Sequence, residues 1–270
     1  MFKQTRFICP ICREPLTGER NLSCSNNHCY DRAKSGYINL LSGKGGNHGD
    51  PKDMVLARKS FLDGGYYSPL SEEISRTAAE LTPKKGVLLD CGCGECYYTD
   101  RIASLLPEAH IMGIDVSKDA VNYGARRNKA LDLAVASVYA IPTSDMTVDT
   151  VVSIFAPQAT EEFARVLKPG GCLIMAIGGE NHLWSLKKAV YDIPYKNEPS
   201  DYTLEGFEFK EKRELKYSID LNSNSDIKNL FSMTPYYHKT SQSDIEKLNA
   251  LDSLSTEIEF EVLVYKKLFD

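Results

Sequence analysis

Four cysteines and a histidine near the start of the chain have a spacing that suits a metal ion. Residues 9–29 read CPICREPLTGERNLSCSNNHC, in which Cys9 and Cys12 form a CxxC pair. Cys24 follows after eleven intervening residues, and His28 lies four positions beyond it. Two short turns that each supply two ligands can close a tetrahedron around Zn²⁺. Because so short a segment buries little apolar surface, bound metal would supply the missing folding free energy.

The last two ligand positions have three candidates, namely Cys24, His28 and Cys29. Adjacent residues rarely both reach one ion, so we expect Cys29 to remain a free thiol. The predicted ligands are Cys9, Cys12, Cys24 and His28. The alternative, buried cysteines without a metal, fits the paired spacing less well. Since the protein fills all four positions, the site is predicted to be structural rather than catalytic.

A glycine-rich turn farther along the chain has the pattern of a cofactor loop. Residues 87–107 read VLLDCGCGECYYTDRIASLLP, which predicts a strand, a loop and a helix. Gly92 and Gly94 would let the backbone approach a ligand where a Cβ would intrude. About 25 residues after Asp90, the apolar run IMGIDVS contains Asp115, which is placed to accept hydrogen bonds from a ribose. The alternative is a generic turn of an α/β protein.

The surrounding elements favour a parallel sheet that positions this loop. Residues 148–157 and 165–178 predict buried strands that alternate with helices. Such βαβ units place a ligand at the carboxyl ends of the strands. Residues 206–219 and 256–267 alternate apolar and polar side chains, which predicts an antiparallel edge.

Length and composition narrow the classes of protein to consider. The chain has 270 residues, of which 42 % are hydrophobic and 26 % charged, so a disordered chain or a disulfide mini-scaffold is excluded. The longest apolar stretch, residues 172–177, is too short to span a bilayer. The N-terminus lacks the apolar core of a secretory signal. Because thiols stay reduced in proteins that are not exported, we expect the eight cysteines to be thiols and not disulfides. We therefore expect a cytoplasmic protein without a membrane partner.

Charge is distributed unevenly along the chain. The net charge is −5, yet residues 1–60 carry ten Lys and Arg against five acids, leaving −10 for the remainder. A basic front end beside an acidic body indicates a polyanionic partner for the first segment. The alternative is chance clustering on a solvated surface.

The loop pattern DxGxGxC that begins at Asp90 resembles motif I of class I S-adenosylmethionine-dependent methyltransferases. An acid before the loop suits a ligand that is cationic at its sulfonium and amino groups, unlike the pyrophosphate of NAD. Cys96, a small residue, stands where the third glycine is usual. This resemblance implies an α/β fold with the seven-stranded, Rossmann-like sheet of that class, preceded here by a small zinc ribbon.

The whole chain resembles the bacterial 23S rRNA (guanine-N1)-methyltransferases that modify hairpin 35. Matching segments are CPIC (9–12), SGYINLL (35–41), GDPKDMVLARKSFLDGGYYSPL (49–70), LDCGCGECYYT (89–99), GIDVSK (113–118), FAPQATEEFARVLKPGG (155–171), NHLWSLK (181–187) and MTPYY (233–237). The block 58–70 is specific to this family, whereas motif I is not. The resemblance implies methyl transfer from S-adenosylmethionine to N1 of a guanine in the hairpin loop, with an effect on macrolide susceptibility.

Carried over residue by residue, the resemblance implies the same four zinc ligands and a set of cofactor contacts. The expected cofactor-binding residues are Tyr67, Asp90, Gly92, Gly94, Glu95, Asp115 and His182, of which Asp115 follows from the general methyltransferase pattern. The family has a glycine at position 96 and usually no cysteine at position 29. Neither departure threatens activity.

The chemistry of guanine N1 sets two further expectations. N1 carries a proton that must leave, so a base, or a donor that stabilises charge on O6, would help. The sequence names no unique base, and our catalytic candidates are Phe155, Pro157 and Gln158. N1 also lies on the Watson–Crick edge, so the target must be in a loop or extruded from its stack. The tyrosines that could stack on splayed bases include Tyr30, Tyr37, Tyr66 and Tyr97.

We therefore expect three segments: a zinc-ribbon RNA-recognition domain (1–40), a linker and helical segment (41–80) and a methyltransferase domain (81–270). The resemblance implies a homodimer that holds a 23S rRNA hairpin across two ribbons. A second hypothesis is a zinc-ribbon RNA-binding protein whose methyltransferase domain is inactive, which Asp90, Gly92, Gly94 and Asp115 argue against. A third, a small-molecule methyltransferase, does not explain the basic ribbon.

Overall fold

The computed structural model describes residues 4–41 and 49–269, so the start of the predicted linker, residues 42–48, lies outside the described residues. The helices are α1 (Lys52–Asp63), α2 (Ser68–Leu81), α3 (Tyr97–Leu105), α4 (Lys118–Arg127), α5 (Thr160–Val166), α6 (Trp184–Val190), α7 (Asn224–Ser232) and α8 (Gln242–Asn249). The strands are β1 (Asn21–Ser23), β2 (Cys29–Asp31), β3 (Ile38–Asn39), β4 (Val87–Cys91), β5 (His110–Asp115), β6 (Asp132–Val135), β7 (Val148–Ile154), β8 (Leu167–Gly178), β9 (Phe207–Leu221) and β10 (Leu254–Lys267).

The central sheet has the strand order β3-β6-β5-β4-β7-β8-β10-β9. Its first six strands are parallel, while β10 runs antiparallel to both β8 and β9. Strand β4 is buried along its whole length, as its continuous apolar sequence predicts for a strand covered on both faces. The expected α/β class and the antiparallel strands are confirmed. The sheet has eight strands rather than seven because β3, from the N-terminal segment, extends its edge beyond β6.

The N-terminal segment packs directly against this edge of the sheet. Strands β1 and β2 form a small antiparallel hairpin, and Phe7, Leu16 and Leu22 share an apolar cluster with Leu89 of β4 and Met112 of β5. Burial of this kind contributes about 25 cal/mol per Å² of apolar surface removed from water. The ribbon and the sheet are therefore parts of one core.

Asp132 provides a polar anchor for the same contact. Its buried carboxylate accepts hydrogen bonds from the Thr5 hydroxyl at 3.0 Å and from the Arg6 backbone N–H at 2.9 Å. The His110 ring lies 3.1 Å from the same oxygen. Because three groups converge on one carboxylate oxygen, the start of the chain is held at a defined position on β6.

Within residues 4–41 and 49–269, each helix is too short or too polar to cross a membrane.

Candidate metal centre and cofactor cavity

Three cysteines and one histidine meet at the turn of the β1–β2 hairpin. The ligand atoms of Cys9, Cys12, Cys24 and His28 all lie within 4.8 Å of one another. His28 Nδ1 is 3.5 Å from Cys9 Sγ and 3.4 Å from Cys24 Sγ, and the Cys12 and Cys24 sulfurs are 3.5 Å apart. Thiolate and imidazole donors at such mutual distances fit a tetrahedral Zn²⁺ ion. These four residues are the ligand set expected from the spacing.

Two tight turns bring these ligands together. The Arg13 backbone N–H donates to the Cys9 carbonyl at 2.8 Å, and the Asn27 N–H donates to the Cys24 carbonyl at 3.0 Å. Arg13 and Asn27 both have a positive φ, of 62° and 61°. Hydrogen bonds, the largest from the Asn26 side chain, lower the pKa of Cys12 to about 6. This favours the thiolate form that binds metal.

Cys29 stands apart from this cluster. Its side chain is exposed, and its sulfur lies 3.6 Å from the Asn27 carbonyl oxygen. It is not among the residues whose ligand atoms converge. The placement agrees with the expectation that Cys29 is a free thiol.

The second site is a cavity of about 750 Å³ at the carboxyl ends of β4, β5, β7 and β8. The expected site residues that line it are Tyr67, Gly92, Gly94, Glu95, Asp115, Phe155, Pro157 and His182. Asp90 and Gln158 do not line it. Asp90 is buried beneath the glycine loop, while Gln158 is exposed and its side-chain amide lies 3.4 Å from the Thr160 hydroxyl at the start of α5.

The loop after β4 depends on one glycine and one unusual cysteine. A Cβ on Gly92, whose φ is +86°, would lie 2.5 Å from the Cβ of Ala156, so any side chain there would force the two loops apart. Cys96 adopts a left-handed conformation with φ 61°, which explains why glycine is usual at this position. The Cys96 sulfur lies only 2.4 Å from the position that a Cβ on Gly124 of α4 would occupy. Because Gly124 has no side chain, it makes room for this sulfur.

Two aspartates flank the loop, of which Asp90 is buried and Asp115 is partly buried. Asp115 accepts backbone hydrogen bonds from Gly94 at 3.0 Å and from Ser117 at 2.8 Å, which fixes its carboxylate at the cavity wall. Asp90 accepts a 2.6 Å hydrogen bond from the Thr99 hydroxyl on one oxygen, while the other oxygen is buried and has no partner within residues 4–41 and 49–269. Burial raises the pKa of Asp90 to about 7, against the opposing hydrogen bond from Thr99.

A cation supplied by α1 reaches the same loop. Arg58 pairs with the buried Glu95 carboxylate at 3.1 Å and with Asp50. Burial opposes its charge, yet these two carboxylates raise the pKa of Arg58. The family resemblance implied a role for Glu95 but none for Arg58, although Arg58 opens the family-specific block 58–70. Arg58 therefore lies in a family-specific segment, but the sequence assigns no role to it.

An aromatic corner closes the other end of the cavity. Tyr67 lies edge-on to Phe61 and to Phe260, with ring centroids 5.0 Å and 4.8 Å away. The His182 ring is 4.6 Å from Phe260. Burial, reinforced by the nearby Lys187 charge, lowers the pKa of His182 to about 3, so its imidazole is neutral at pH 7. Phe155, with a φ of 52° and its side chain 48 % exposed, lies beside this corner.

Unsatisfied polar atoms show that the cavity suits a polar, cationic ligand. Besides the free oxygen of Asp90, the hydroxyls of Tyr98 and Ser153 are buried without a hydrogen-bond partner among the described residues, and both of those residues line the cavity. Unpaired buried polar groups cost free energy that a ligand can recover. Together with the Asp115 carboxylate at the cavity wall, these groups fit the amino, sulfonium and ribose groups of S-adenosylmethionine.

The four tyrosines considered for base stacking have packing partners. Tyr37 is buried, Tyr30 contacts the Cys9 sulfur at 3.3 Å, and Tyr66 stacks on Phe61. Tyr97 lines the cavity and lies edge-on to Tyr98.

The basic front end is also partly neutralised. Arg13 pairs with Asp145, Arg58 with Glu95 and Asp50, and Lys59 with Asp63. Arg13 is exposed despite its ion pair, and the other exposed basic side chains in the described part of residues 1–60 are Arg6, Arg20, Lys34 and Lys52.

Comparison with known proteins agrees with both sites. Residues 7–44 match the family model of the zinc ribbon described as RlmA, N-terminal, and residues 88–171 match a methyltransferase domain. The methyltransferase domain takes S-adenosylmethionine as its cofactor, and the ribbon takes zinc. A methyltransferase from Bacillus halodurans has a similar fold, with a TM-score of 0.51 and 15 % identity over 74 % of this chain and 99 % of that one.

Two curated relatives are similar in sequence over about two thirds of the chain. A 23S rRNA (guanine-N(1)-)-methyltransferase of Micromonospora griseorubida is 32 % identical over 66 % of this chain and 67 % of its own length. The 23S rRNA (guanine(748)-N(1))-methyltransferase of Streptomyces fradiae is 35 % identical over 67 % of this chain and 66 % of its own. With its zinc ribbon, its glycine loop and these relatives, the chain belongs to the 23S rRNA (guanine-N1)-methyltransferase family.

Proposed function

We propose that this protein transfers a methyl group from S-adenosylmethionine to N1 of a guanine in hairpin 35 of 23S rRNA. The observation that carries the proposal is that a four-ligand metal centre and a cavity lined by Gly92, Gly94 and Asp115 occur in one chain of this family. The Streptomyces relative is named for guanine 748, so position 748 is the first to test. An effect on macrolide susceptibility would follow from a modification at that site.

Orientation is the main contribution of the protein to such a displacement. Asp115 would hold the ribose, and the loop at Gly92 and Gly94 would hold the methionyl part. Asp90 lies beneath that loop with a carboxylate oxygen free. S-adenosylmethionine supplies the methyl group. The sheet order then leaves the carboxyl ends of β7 and β8, with Phe155 and Pro157, for the target base.

The proton on guanine N1 must leave as the methyl group arrives. With its pKa lowered to about 3, the His182 imidazole is too weak a base to hold this proton at pH 7, and Glu95 is held in an ion pair with Arg58. We assign no general base to Phe155, Pro157 or Gln158, because none of these side chains can take up a proton at pH 7. A hydrogen-bond donor that stabilises negative charge on guanine O6 would therefore help the proton to leave N1 without a general base.

The ribbon is the proposed RNA-recognition element, and the proposed assembly is a homodimer that holds the hairpin across two ribbons. Exposed cations at Arg6, Arg20 and Lys34 support a phosphate-contacting surface. As its substrate is ribosomal RNA, we place the protein in the bacterial cytoplasm.

The decisive experiment is methylation of unmodified 23S rRNA with labelled S-adenosylmethionine, followed by primer extension, which stops at N1-methylguanine. We expect one strong stop in hairpin 35. Asp115→Ala should weaken cofactor affinity by about 1–3 kcal/mol, measured by calorimetry, because ribose hydroxyls lose their acceptor. Glu108→Gln, on an exposed turn, is the control.

Two outcomes would contradict the proposal. Binding of RNA and cofactor without a stop would favour the second hypothesis, an RNA-binding protein with an inactive methyltransferase domain. Label transferred to a small acceptor but not to RNA would favour a small-molecule methyltransferase.

A further inference from the structure

A lysine that the reaction scheme does not yet use is buried behind the cavity. Lys187 of α6 is only 1 % exposed. Its ammonium group lies between two tyrosine rings, 4.9 Å from the centroid of Tyr195 and 5.0 Å from that of Tyr236. No carboxylate of the described residues forms an ion pair with it, and burial lowers the pKa of Lys187. A buried ammonium without a counter-ion is costly, so its retention calls for a role.

The hydrogen bond that Lys187 does make is directed at a residue of the cavity wall. Its Nζ donates to Asn197 Oδ1 at 2.7 Å, and Asn197 Nδ2 donates to the Gly179 carbonyl at 2.8 Å. An ammonium group can only donate and a carbonyl can only accept, so the two neighbours together fix the amide in one orientation. The Asn197 backbone N–H is also tied down, to the Glu180 carbonyl at 3.1 Å.

This orientation leaves one N–H of Asn197 for a ligand. The amide nitrogen carries two hydrogens, and the described residues provide an acceptor for one of them. Nδ2 lies 3.3 Å from the position of a Cβ on Gly178, at the carboxyl end of β8, beside the His182 ring. Asn197 also lines the cavity, together with Thr234 and Tyr236 of the segment 233–237. The amide therefore lies at the β8 side of the cavity, next to His182, an expected cofactor contact, where the cofactor and the target base would meet.

We propose that Asn197 Nδ2 donates a hydrogen bond to O6 of the target guanine, and that Lys187 is the positioning residue that holds the Asn197 amide in the required orientation. This inference rests on the proposed function, since it assigns a contact within that reaction. N1 releases its proton to water, and the electron pair left behind is shared with O6. As N1 bonds to the methyl carbon, the carbon–sulfur bond of the cofactor breaks and S-adenosylhomocysteine leaves with the electron pair of that bond. A fixed donor at O6 stabilises that charge without reorganisation.

The same contact would distinguish guanine from adenine. Guanine presents an acceptor at position 6, whereas adenine presents an amino group that can only donate there. An Asn197 N–H aimed at this position would pair with the first and leave two donors facing each other with the second. Asn197 would thus contribute to choice of base as well as to rate.

The test compares Asn197→Asp with wild type on hairpin RNA under saturating cofactor. The aspartate retains an oxygen for Lys187 but cannot donate, so we expect kcat to fall about 100-fold with S-adenosylmethionine affinity unchanged. Lys187→Met should lower kcat in the same way, and Lys187→Arg should restore most of it, because a guanidinium can also stack on the tyrosines and donate to Asn197. Asn222→Asp, an exposed residue with the same chemical change, is the matched control.

A second measurement separates contact with O6 from a structural role. Replacing the target guanine by 6-thioguanine weakens the hydrogen-bond acceptor at position 6. The ratio of the methylation rate of guanine to that of 6-thioguanine should therefore be large for wild type. For Asn197→Ala it should be close to the ratio for the same reaction without enzyme. Equal ratios for wild type and Asn197→Ala would overturn the proposal. An unchanged kcat in Asn197→Asp would also overturn it, as would a loss of S-adenosylmethionine affinity in that variant in place of a lower kcat. A wild-type protein that leaves rRNA unmethylated would overturn the proposed function, and this inference with it.

Discussion

The metal centre draws its ligands from Cys9–His28, whereas the cofactor cavity is lined by residues from Gly49 to Tyr236. Both sites contain residues other than glycine with a positive φ, among them Cys96 and Phe155 at the cavity, but the surroundings that hold this backbone differ. In the metal centre, Arg13 and Asn27 have a positive φ although neither is glycine. In the cofactor loop, Gly92 occupies such a position because a neighbouring loop comes too close for a side chain. The first site is thus organised by a bound ion, and the second by packing of distant segments.

This difference predicts which changes each site tolerates. Metal–ligand bonds can compensate for local backbone strain, so the ribbon should be sensitive to its ligands and less so to the residues between them. The cavity has no such compensation, because its walls come from several strands and helices. Steric changes should therefore be most harmful where its loops approach one another.

The largest effect is expected from Cys12→Ser. Structural zinc contributes on the order of 10 kcal/mol to small domains, so loss of one thiolate should release the metal and unfold the hairpin β1–β2. Elemental analysis should give about one zinc per chain for wild type and little for the variant. Cys29→Ser is the control, and it should keep the metal. Zinc retained by Cys12→Ser at the wild-type level would show that the metal centre has a different ligand set.

Gly92→Ala tests the steric limit of the cavity. The added methyl group would lie 2.5 Å from the Ala156 Cβ. Such overpacking costs about 1–3 kcal/mol, and cofactor binding should be lost or strongly weakened in calorimetry. Gly65→Ala is matched to it, because Gly65 has a similar φ of +82° but no atom within 4 Å of the added Cβ. If the two variants behave alike, backbone strain rather than packing controls the loop.

Asp90→Asn tests the electrostatics beneath the glycine loop without changing the shape of the side chain. Burial raises the pKa of Asp90 from 3.8 to about 7, so the folded protein prefers the protonated carboxyl group. Its contribution to the free energy of unfolding is fully present below about pH 4 and is lost as the pH rises through about 7. Urea unfolding across this window should show a slope of up to about 1.4 kcal/mol per pH unit that Asp90→Asn removes. An identical slope in Asp90→Asn and in the exposed control Asp252→Asn would contradict this prediction.

The smallest effect concerns the charges of the ribbon. Arg20 is exposed and has no ion pair among the residues that the structure describes, whereas Arg13 pairs with Asp145 at 2.7 Å. Arg20→Ala should reduce the slope of log K for hairpin RNA against log salt by about 0.7, as one released phosphate contact predicts. Arg13→Ala should change it less. A larger change at Arg13 would mean that RNA displaces Asp145 from this pair.

The sequence predicts the metal centre more completely than the cavity, for a physical reason. The four ligands are close along the chain, so their spacing alone limits the geometry. The glycine loop and Asp115 are similarly readable, because each lies at the carboxyl end of a buried strand. Arg58 and Asn197 are not, since they reach the cavity through packing of α1 and of the segment after α6, which no local pattern encodes.

Gln158 and the four tyrosines illustrate the same limit. Position in a motif places Gln158 after β7, but the chain turns into α5 there and directs its side chain to Thr160. Composition favours aromatic residues as base-stacking candidates, yet Tyr37 is buried. Choosing among such residues requires the direction of each side chain.

Strand β3 has a further consequence for how the chain folds. Ile38 of β3 pairs with Ala134 of β6, so β3 covers the outer edge of β6 although it is synthesised roughly a hundred residues earlier. A nascent ribbon can close around its metal at once, but it must wait for β6 before it can dock. Until then, β6 would present an unpaired edge, which is a template for association with other chains. By covering this edge, the N-terminal segment protects the sheet from intermolecular strand pairing, and a truncated chain that lacks β3 should aggregate.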